Sequence, residues 1–399
     1  MTTDTYSVSY ITNTMRGAPV INGNTPGCLL AVLDALLING WGLAAASTLV
    51  VAGGIATATF ANATPWDVGA VIEVGGATPA AINGRARVLA SSGNILTFAT
   101  AAGDGSYSGS IGIKYASAGW ERVFAGANKA VYRSTDVTGA RFYLRVDDSN
   151  GLYARVCGYE SMSDADTGAG MYPAAAMIAG GGYWHKATAS NATAIPYVVA
   201  ADGRALLHAL TAGAAANASN TACAVRGFGD VVPMGPAGDA FACVLSCAAT
   251  SSGASYVDHG ALSGSASDSS VATGLSVAPR SWQGLGSAVL QRPLPMTGLL
   301  GALSGAADYF GAAPSAIDGQ VKTAVMGLKD QGAQTPLRGI IPGVHYIPQT
   351  GAVSIFGHLS VQDGAGALVG RKLLVVHVGT AANTPATGAA MIDLTGPWR

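Results

Sequence analysis

The chain has 399 residues, of which 21 are basic and 22 acidic, so charged residues make up 11% of it, against about 25% in an ordinary soluble domain. The formal net charge of -1 provides no field that would attract a polyanion, which argues against nucleic-acid binding. A surface so poor in charge is typical of a subunit that its neighbours cover, and we expect a component of a large assembly.

The cysteines and the first residues indicate where the chain is made. The five cysteines form no paired spacing, which predicts reduced thiols that fill the core; they are Cys28, Cys157, Cys223, Cys243 and Cys247. Reduced thiols are typical of a reducing cytoplasm. The opening MTTDTYSVSYITNTMRG has no apolar core of a signal peptide, so we expect no secretion.

Residues 1–43 predict an N-terminal arm followed by one helix. In TPGCLLAVLDALLING, Thr25 suits the N-cap, Pro26 the first helical position, and Asn39-Gly40 the stop. Leucines cover nearly the whole circumference, so the helix should be buried.

Residues 44–117 predict a small β-sandwich or barrel, because six short alternating segments are separated by turn sequences. The most apolar window, residues 43–60, is long enough to suggest a membrane span. Its Gly53-Gly54 break and its β-branched residues favour a hairpin instead, and we expect no membrane insertion.

Residues 118–249 predict a repeated β-meander whose units begin with an arginine-led strand. Arg141 opens RFYL, Arg204 opens RALL, and Arg371 opens a third, divergent copy, RKLL. The candidate interface or structural residues are Arg141, Phe142, Tyr143, Arg204, Arg371 and Trp398.

The remaining chain divides into two parts. Residues 250–336 are rich in Ser, Gly and Ala but carry recurring large apolar residues, which predicts a region that wraps over a neighbouring domain or subunit. Residues 337–399 predict strands in VSIFGHLSV and KLLVVHVG that complete the main domain, with a Pro-Trp anchor in IDLTGPWR.

The charge-rich stretch RFYLRVDDSNGLYARVCGYESMSDADTG raises the question of a metal site. Asp164, Asp166 and Gly168 match the opening of a calcium loop, but Ala175 stands where an EF-hand needs its glutamate. We interpret these aspartates as turn residues, and Asn150-Gly151 as a type I′ hairpin corner. A calcium bridge or ion pair between subunits through Asp164 and Asp166 is the alternative.

No catalytic pattern stands out. The acidic residues are scattered in turns, the six histidines form no metal motif, and neither GALSG run places serine as a nucleophile elbow requires. We therefore predict no enzyme activity, no catalytic residue and no cofactor. Sugar stacking is an alternative to packing for four aromatic residues in loop-like contexts, Trp66, Tyr107, Trp184 and Trp282.

Several long runs resemble virion structural proteins of tailed bacteriophages. They include PGCLLAVLDALLINGW, GWERVFAGANKAVYRSTDVTGARFYLRVDDSNGLYARVCGYESMSDADTG, YWHKATASNATAIPYVVAADGRALLHAL and LRGIIPGVHYIPQ. The resemblance implies a place in a particle: a homo-oligomer in the virion, made in the bacterial host cytoplasm, that contacts other virion proteins.

Together the sequence predicts a mainly β chain with several small sandwich-like or barrel-like domains, a short buried N-terminal helix and long wrapping loops. We expect a tail-associated position, at the tail tip, the fibre or baseplate, or the neck. The alternatives are a capsid decoration or minor head protein, and a receptor-recognition protein that binds a host surface glycan.

Overall fold

The computed structural model describes residues 6–211, 213, 220–235, 238–251, 261–263, 274–295, 311–332, 335–379 and 384–399. The protein is mainly β, with 44% of residues in strands and 6% in helices, and it contains a six-stranded barrel, large sheets and one short apolar helix. The predicted fold class is confirmed.

The N-terminal arm contributes β1 (Ser9–Thr12) and leads into helix α1 (Cys28–Asp34), which continues as a π-helical turn over Ala35–Asn39. The predicted burial is confirmed, since the leucines of this segment lie in the core. The predicted start is wrong: the N-cap is Gly27, and no side chain of the preceding segment caps the helix. A carboxylate from a distant loop binds the free amides instead, as described below.

The barrel follows directly, and all six predicted strands are present. The strands are β2 (Trp41–Ala52), β3 (Ile55–Phe60), β4 (Val71–Gly75), β5 (Gly84–Ser92), β6 (Ile95–Ala99), β7 (Gly105–Tyr107) and β8 (Gly112–Tyr115). Strand β2 pairs with β3 and β8, and the closed order is β3-β6-β5-β4-β8-β2, with β7 as an additional strand on β2.

The hairpin interpretation of residues 43–60 is confirmed. Gly53 and Gly54, at φ of 57° and 77°, connect β2 to β3, and positive φ at both central residues is the requirement of a type I′ turn. No helix among the described residues has the length and hydropathy needed to cross a bilayer.

The other strands of the described residues form one large antiparallel sheet together with β1, plus a two-stranded ribbon. The first strands are β9 (Glu121–Gly126), β10 (Lys129–Arg133), β11 (Tyr143–Asp147), β12 (Tyr153–Tyr159), β13 (Ser161–Met162), β14 (Gly168–Ala169), β15 (Gly182–His185), β16 (Tyr197–Ala201), β17 (Ala205–Leu210), β18 (Arg226–Asp230), β19 (Val232–Pro233) and β20 (Cys243–Ala248).

The later elements are β21 (Gly274–Ala278), β22 (Val289–Pro295), β23 (Ala324–Asp330), β24 (Leu337–Tyr346), the helical turn α2 (Ala352–Ile355), β25 (Val361–Asp363), β26 (Lys372–Val378) and β27 (Gly388–Asp393).

Strand β20 joins two meanders to the C-terminal strands. The ladder β9-β10-β11-β12-β15 reaches it through Tyr183 and Ala248, and the ladder β1-β16-β17-β18 reaches it through β18. From β20 the sheet continues through β21, β22, β23, β24, β27, β26 and β25. The three arginine-led segments belong to three hairpins, β11–β12, β17–β18 and β26–β27.

Three local predictions differ from the structure. The described parts of the Ser/Gly/Ala-rich region supply β21, β22 and β23, because backbone pairing with β20 and β24 orders a composition that reads as loop. The strand predicted for VSIFGHLSV begins as α2. Neither Asn150 nor Gly151 has a positive φ; a Cβ on Gly151 would lie 2.5 Å from the Gly23 carbonyl oxygen, so close approach explains this glycine.

One contiguous apolar core joins the helix, the barrel and most of the large sheet, and a smaller cluster lies around α2 and β26. All five cysteines are free and buried, which confirms their predicted packing role.

Candidate functional site

The three predicted arginines each stand just before a strand and bind a carboxylate of this chain. The Arg141 Nη2 lies 3.1 Å from Glu121 Oε1, and the Arg204 Nε lies 2.6 Å from Asp136 Oδ2. Arg371 pairs with Asp393 and also donates to the Pro397 carbonyl. All three contacts lie within the chain; the role of the three residues at a subunit interface stays a prediction.

Phe142 and Tyr143 contact other residues of the same chain. The Phe142 ring lies 6.2 Å from Tyr172 edge-on and 6.1 Å from Phe241 at 19°. Arg280 lies 4.9 Å from the centre of the Phe241 ring. Arg133 donates to the Tyr143 hydroxyl at 2.5 Å and lies over its ring.

The C-terminus is locked onto the sheet by Trp398, which is 7% exposed. Its indole Nε1 donates to the Asp393 carbonyl at 2.8 Å. Gly343, at φ of 73°, lies against the indole, and a Cβ there would be 2.3 Å from the ring. The Arg399 Nε then pairs with Asp202 at 3.1 Å. The predicted Pro-Trp anchor is confirmed.

A groove of about 760 Å³ runs beside this anchor, between Arg204 and Arg399, and Asp230 and Phe241 line it. Burial raises the pKa of Asp230, whose Oδ2 accepts from the Ala140 amide at 2.9 Å. Phe241 contacts Phe142 and Arg280, so its ring is already engaged and is poorly placed to stack on a sugar.

The four aromatic residues weighed as a sugar platform separate into two groups. Trp66 and Trp184 are buried, and the Trp184 Nε1 donates to the Ser246 carbonyl at 2.7 Å. Tyr107 is half-buried and donates to the Gly103 carbonyl. Trp282 is 47% exposed and lies in a loop with Leu285, which is 66% exposed. Of the four aromatic residues, Trp282 is therefore the candidate that remains for stacking on a sugar.

Asp164 and Asp166 sit at the tip of the ribbon that β13 and β14 form. Asp164 Oδ1 accepts from the amides of Asp166 and Thr167 at 2.8 and 2.9 Å, as a turn residue does. Asp166 binds Lys129 at 2.8 Å and Arg145 at 2.5 Å, and these two cations lower its pKa. No group of three potential metal ligands occurs among the described residues; the calcium bridge between subunits stays a prediction.

Asp147 and Asp148 adjoin in sequence but differ in role. Asp147 accepts from the Ser149 amide and hydroxyl, which confirms its turn interpretation. Asp148 is completely buried, and the turn interpretation is wrong for its side chain. Its Oδ2 accepts from the Leu29 amide at 2.8 Å and the Leu30 amide at 3.4 Å. Its Oδ1 lies 2.5 Å from the Nζ of Lys186, which is equally buried.

The barrel carries an uncharged outer face over β2, β3, β6 and the second half of β5. Cross-strand pairing aligns Val50, Thr57, Thr97 and Ala90 in one row. The flanking rows are Thr48, Thr59, Ile95 and Ser92 on one side, and Ala52, Ile55 and Ala99 on the other. Residues 35–66 and 88–103 contain no Asp, Glu, Lys or Arg. Val50, Ile55, Leu89 and Ile95 are 39–47% exposed on or beside this face.

Three cationic side chains of the barrel lie on the first half of β5 and on β8, and they bind segments outside the barrel. Arg85 donates to the Tyr6 carbonyl at 3.2 Å, and Arg87 to the Thr395 carbonyl at 3.3 Å. Lys114 donates to the Asn39 carbonyl at 2.8 Å. The barrel thus attaches through its polar side and presents its uncharged side to solvent.

Sequence reasoning found the arginines and the anchor but missed Lys186 and the barrel face. The barrel face could have been predicted from the sequence, because residues 35–66 and 88–103 contain no charged residue. Nothing local marks Lys186, because its partner lies in a loop that comes near only in the folded chain.

No family model matches this chain, and a search of curated proteins finds no significant relative.

Proposed function

We propose that the protein is a non-enzymatic structural subunit of a tailed bacteriophage virion, associated with the tail, which assembles as a homo-oligomer. The observation that carries the assembly part is the uncharged outer face of the barrel. The phage assignment rests on the resemblance of the long sequence runs given above.

The barrel face suits a permanent contact because its burial requires no charge to leave water. Desolvating an ion without a partner costs several kcal/mol, whereas Val, Ile, Ala and Thr side chains bury apolar area at about 25 cal/mol per Å². Three rows of such side chains on paired strands form a continuous uncharged surface that a second subunit or another virion protein can cover.

The chemistry of the buried groups supports a structural role. Burial raises the pKa of Cys157 to about 11 and that of Cys247 to about 12, so these thiols are protonated and poor nucleophiles near neutral pH. The arginines at the strand ends bind carboxylates of the same chain. These groups hold segments together and are not free for a substrate.

One alternative has an observation of its own. The exposed Trp282–Leu285 loop favours contact with a host surface, including a glycan, because exposed aromatic residues are typical anchors of recognition. A capsid decoration or minor head protein would use the same barrel face as a tail protein does.

Light scattering on the purified chain tests the assembly part. We expect the wild type to be an oligomer, and V50E/I95E, which places two charges on the face, to be a monomer with an unchanged circular dichroism spectrum. The control V137E/V369E changes two residues that are 78% and 77% exposed outside the barrel and should leave the oligomer intact. A stable, soluble wild-type monomer would overturn the homo-oligomer.

Cryo-electron microscopy of the intact particle tests the position. We expect density for this chain at the tail; density on capsid faces alone would refute the tail assignment and support the decoration alternative. If host polysaccharide binds wild type but not Trp282→Ala, the receptor alternative gains support.

A further inference from the structure

The Lys186–Asp148 pair stands apart from the other ion pairs of the described residues, because both side chains have zero exposure. The Nζ to Oδ1 distance is 2.5 Å. The pair lies where the loop after β11 meets the end of β15 and the start of α1.

Full burial makes the ionic form of this pair expensive. The effective penalty is several kcal/mol per buried ion, offset by mutual attraction and hydrogen bonds. Burial raises the pKa of Asp148, which favours the uncharged, protonated form of this carboxyl group.

Hydrogen bonds hold the backbones of both residues in place. The Asp148 amide donates to the Asn128 carbonyl at 2.8 Å, and its own carbonyl accepts from the Gly27 amide at 2.9 Å. The Lys186 amide donates to the Leu152 carbonyl at 2.8 Å, and its Nζ donates to the Thr25 carbonyl at 3.3 Å. Intramolecular reactants that are well oriented reach effective molarities of about 10⁵ M.

We propose that the Lys186 Nζ and the Asp148 Cγ condense to an intramolecular isopeptide bond. The lysine nitrogen attacks Cγ, and negative charge develops on Oδ2, which faces the amides of Leu29 and Leu30. Donors aimed at such an oxygen stabilise the tetrahedral state.

The step balances without any further reactant. The ammonium nitrogen gives up two protons, both of which go to Oδ1. The Cγ–Oδ1 bond breaks, Oδ1 leaves as water, and an uncharged amide remains. Nothing is oxidised or reduced.

The bond would close a covalent loop between the β11–β12 hairpin and the end of β15, beneath the start of α1. It would replace two buried charges with one neutral group. This inference concerns the subunit itself and holds whether or not the proposed virion role is correct.

Mass spectrometry of the denatured full-length protein tests the bond. We expect the wild type to be lighter than its sequence by one water, and a tryptic digest to contain one branched peptide that joins Lys186 to Asp148. Lys186→Met should have the full mass of its sequence. The control Lys129→Met removes the exposed partner of Asp166 and should keep the deficit.

Asp148→Asn provides a second variant, because an amide can release ammonia where the acid releases water. We expect its product to have the same mass as the wild-type product. A folded wild type of full sequence mass without a branched peptide would overturn the proposal and leave an ion pair only.

Discussion

The barrel and the large sheet use their few charges differently. In the barrel, Arg85 and Arg87 bind main-chain carbonyls of segments outside the barrel. The uncharged outer face described above carries no charged side chain. In the large sheet, arginines bind carboxylates inside the fold; Arg338, with a side chain of zero exposure, lies 2.8 Å from Asp239 and 2.9 Å from Asp330. The difference teaches that charged side chains in this chain join segments of the fold, while the outer face of the barrel stays free of charge.

The largest effect should come from breaking the buried joint of the large sheet. Arg338→Met leaves Asp239 and Asp330 without their shared cation, and removing one partner of a buried pair costs about 3–5 kcal/mol. Urea unfolding should show that loss. The matched control Arg122→Met removes a 44% exposed arginine from Asp34 and should cost under about 1 kcal/mol. Equal losses would contradict the comparison.

Gly343→Ala should come next, because a Cβ would meet the Trp398 ring at 2.3 Å and the residue has positive φ. Overpacking of this kind costs about 1–3 kcal/mol, and the C-terminal anchor should loosen. Faster hydrogen exchange over residues 388–399 would confirm the displaced anchor, and an unchanged exchange rate there would contradict it.

Gly53→Ala makes the corresponding change in the barrel and should have a smaller effect. Gly53 also has positive φ, but nothing lies within 4 Å of its Cβ position. The strain of a left-handed residue alone costs about 1–2 kcal/mol. Thermal unfolding of the two alanine variants, measured side by side, separates strain from steric overlap; a larger loss for Gly53→Ala would contradict that reading.

The smallest effect at neutral pH should come from His208, which packs 4.4 Å from Trp184. Burial lowers the pKa of His208 from 6.5 to about 3. The unfolded chain therefore binds this proton more readily, so the stability contribution is complete above about pH 6.5 and is lost as the pH falls toward 3. His208→Phe should reduce the loss of unfolding free energy between pH 7 and pH 4.5. Identical pH dependence in both proteins would contradict this.

Local patterns predicted much of the fold but little of the site. The barrel strands and the Gly53-Gly54 hairpin could be predicted because strand periodicity and the glycines of a tight turn are patterns of only a few consecutive residues. The strands β21, β22 and β23 were not predicted, since they lie in a region rich in Ser, Gly and Ala where backbone partners decide between loop and strand. The position of α2 was missed because Val353 and Ile355 favour a strand by propensity, and the tertiary context overrides that propensity.

The sequence by itself determined the β class, the buried helix, the barrel strands and the scarcity of charge, all of which follow from composition and short-range periodicity. Only the tertiary structure decided which charges meet. Asp148 belongs by sequence to a hairpin turn, yet in the fold it binds the amides of Leu29 and Leu30 and the ammonium of Lys186. Such a contact depends on how three distant segments pack, and no local pattern encodes it.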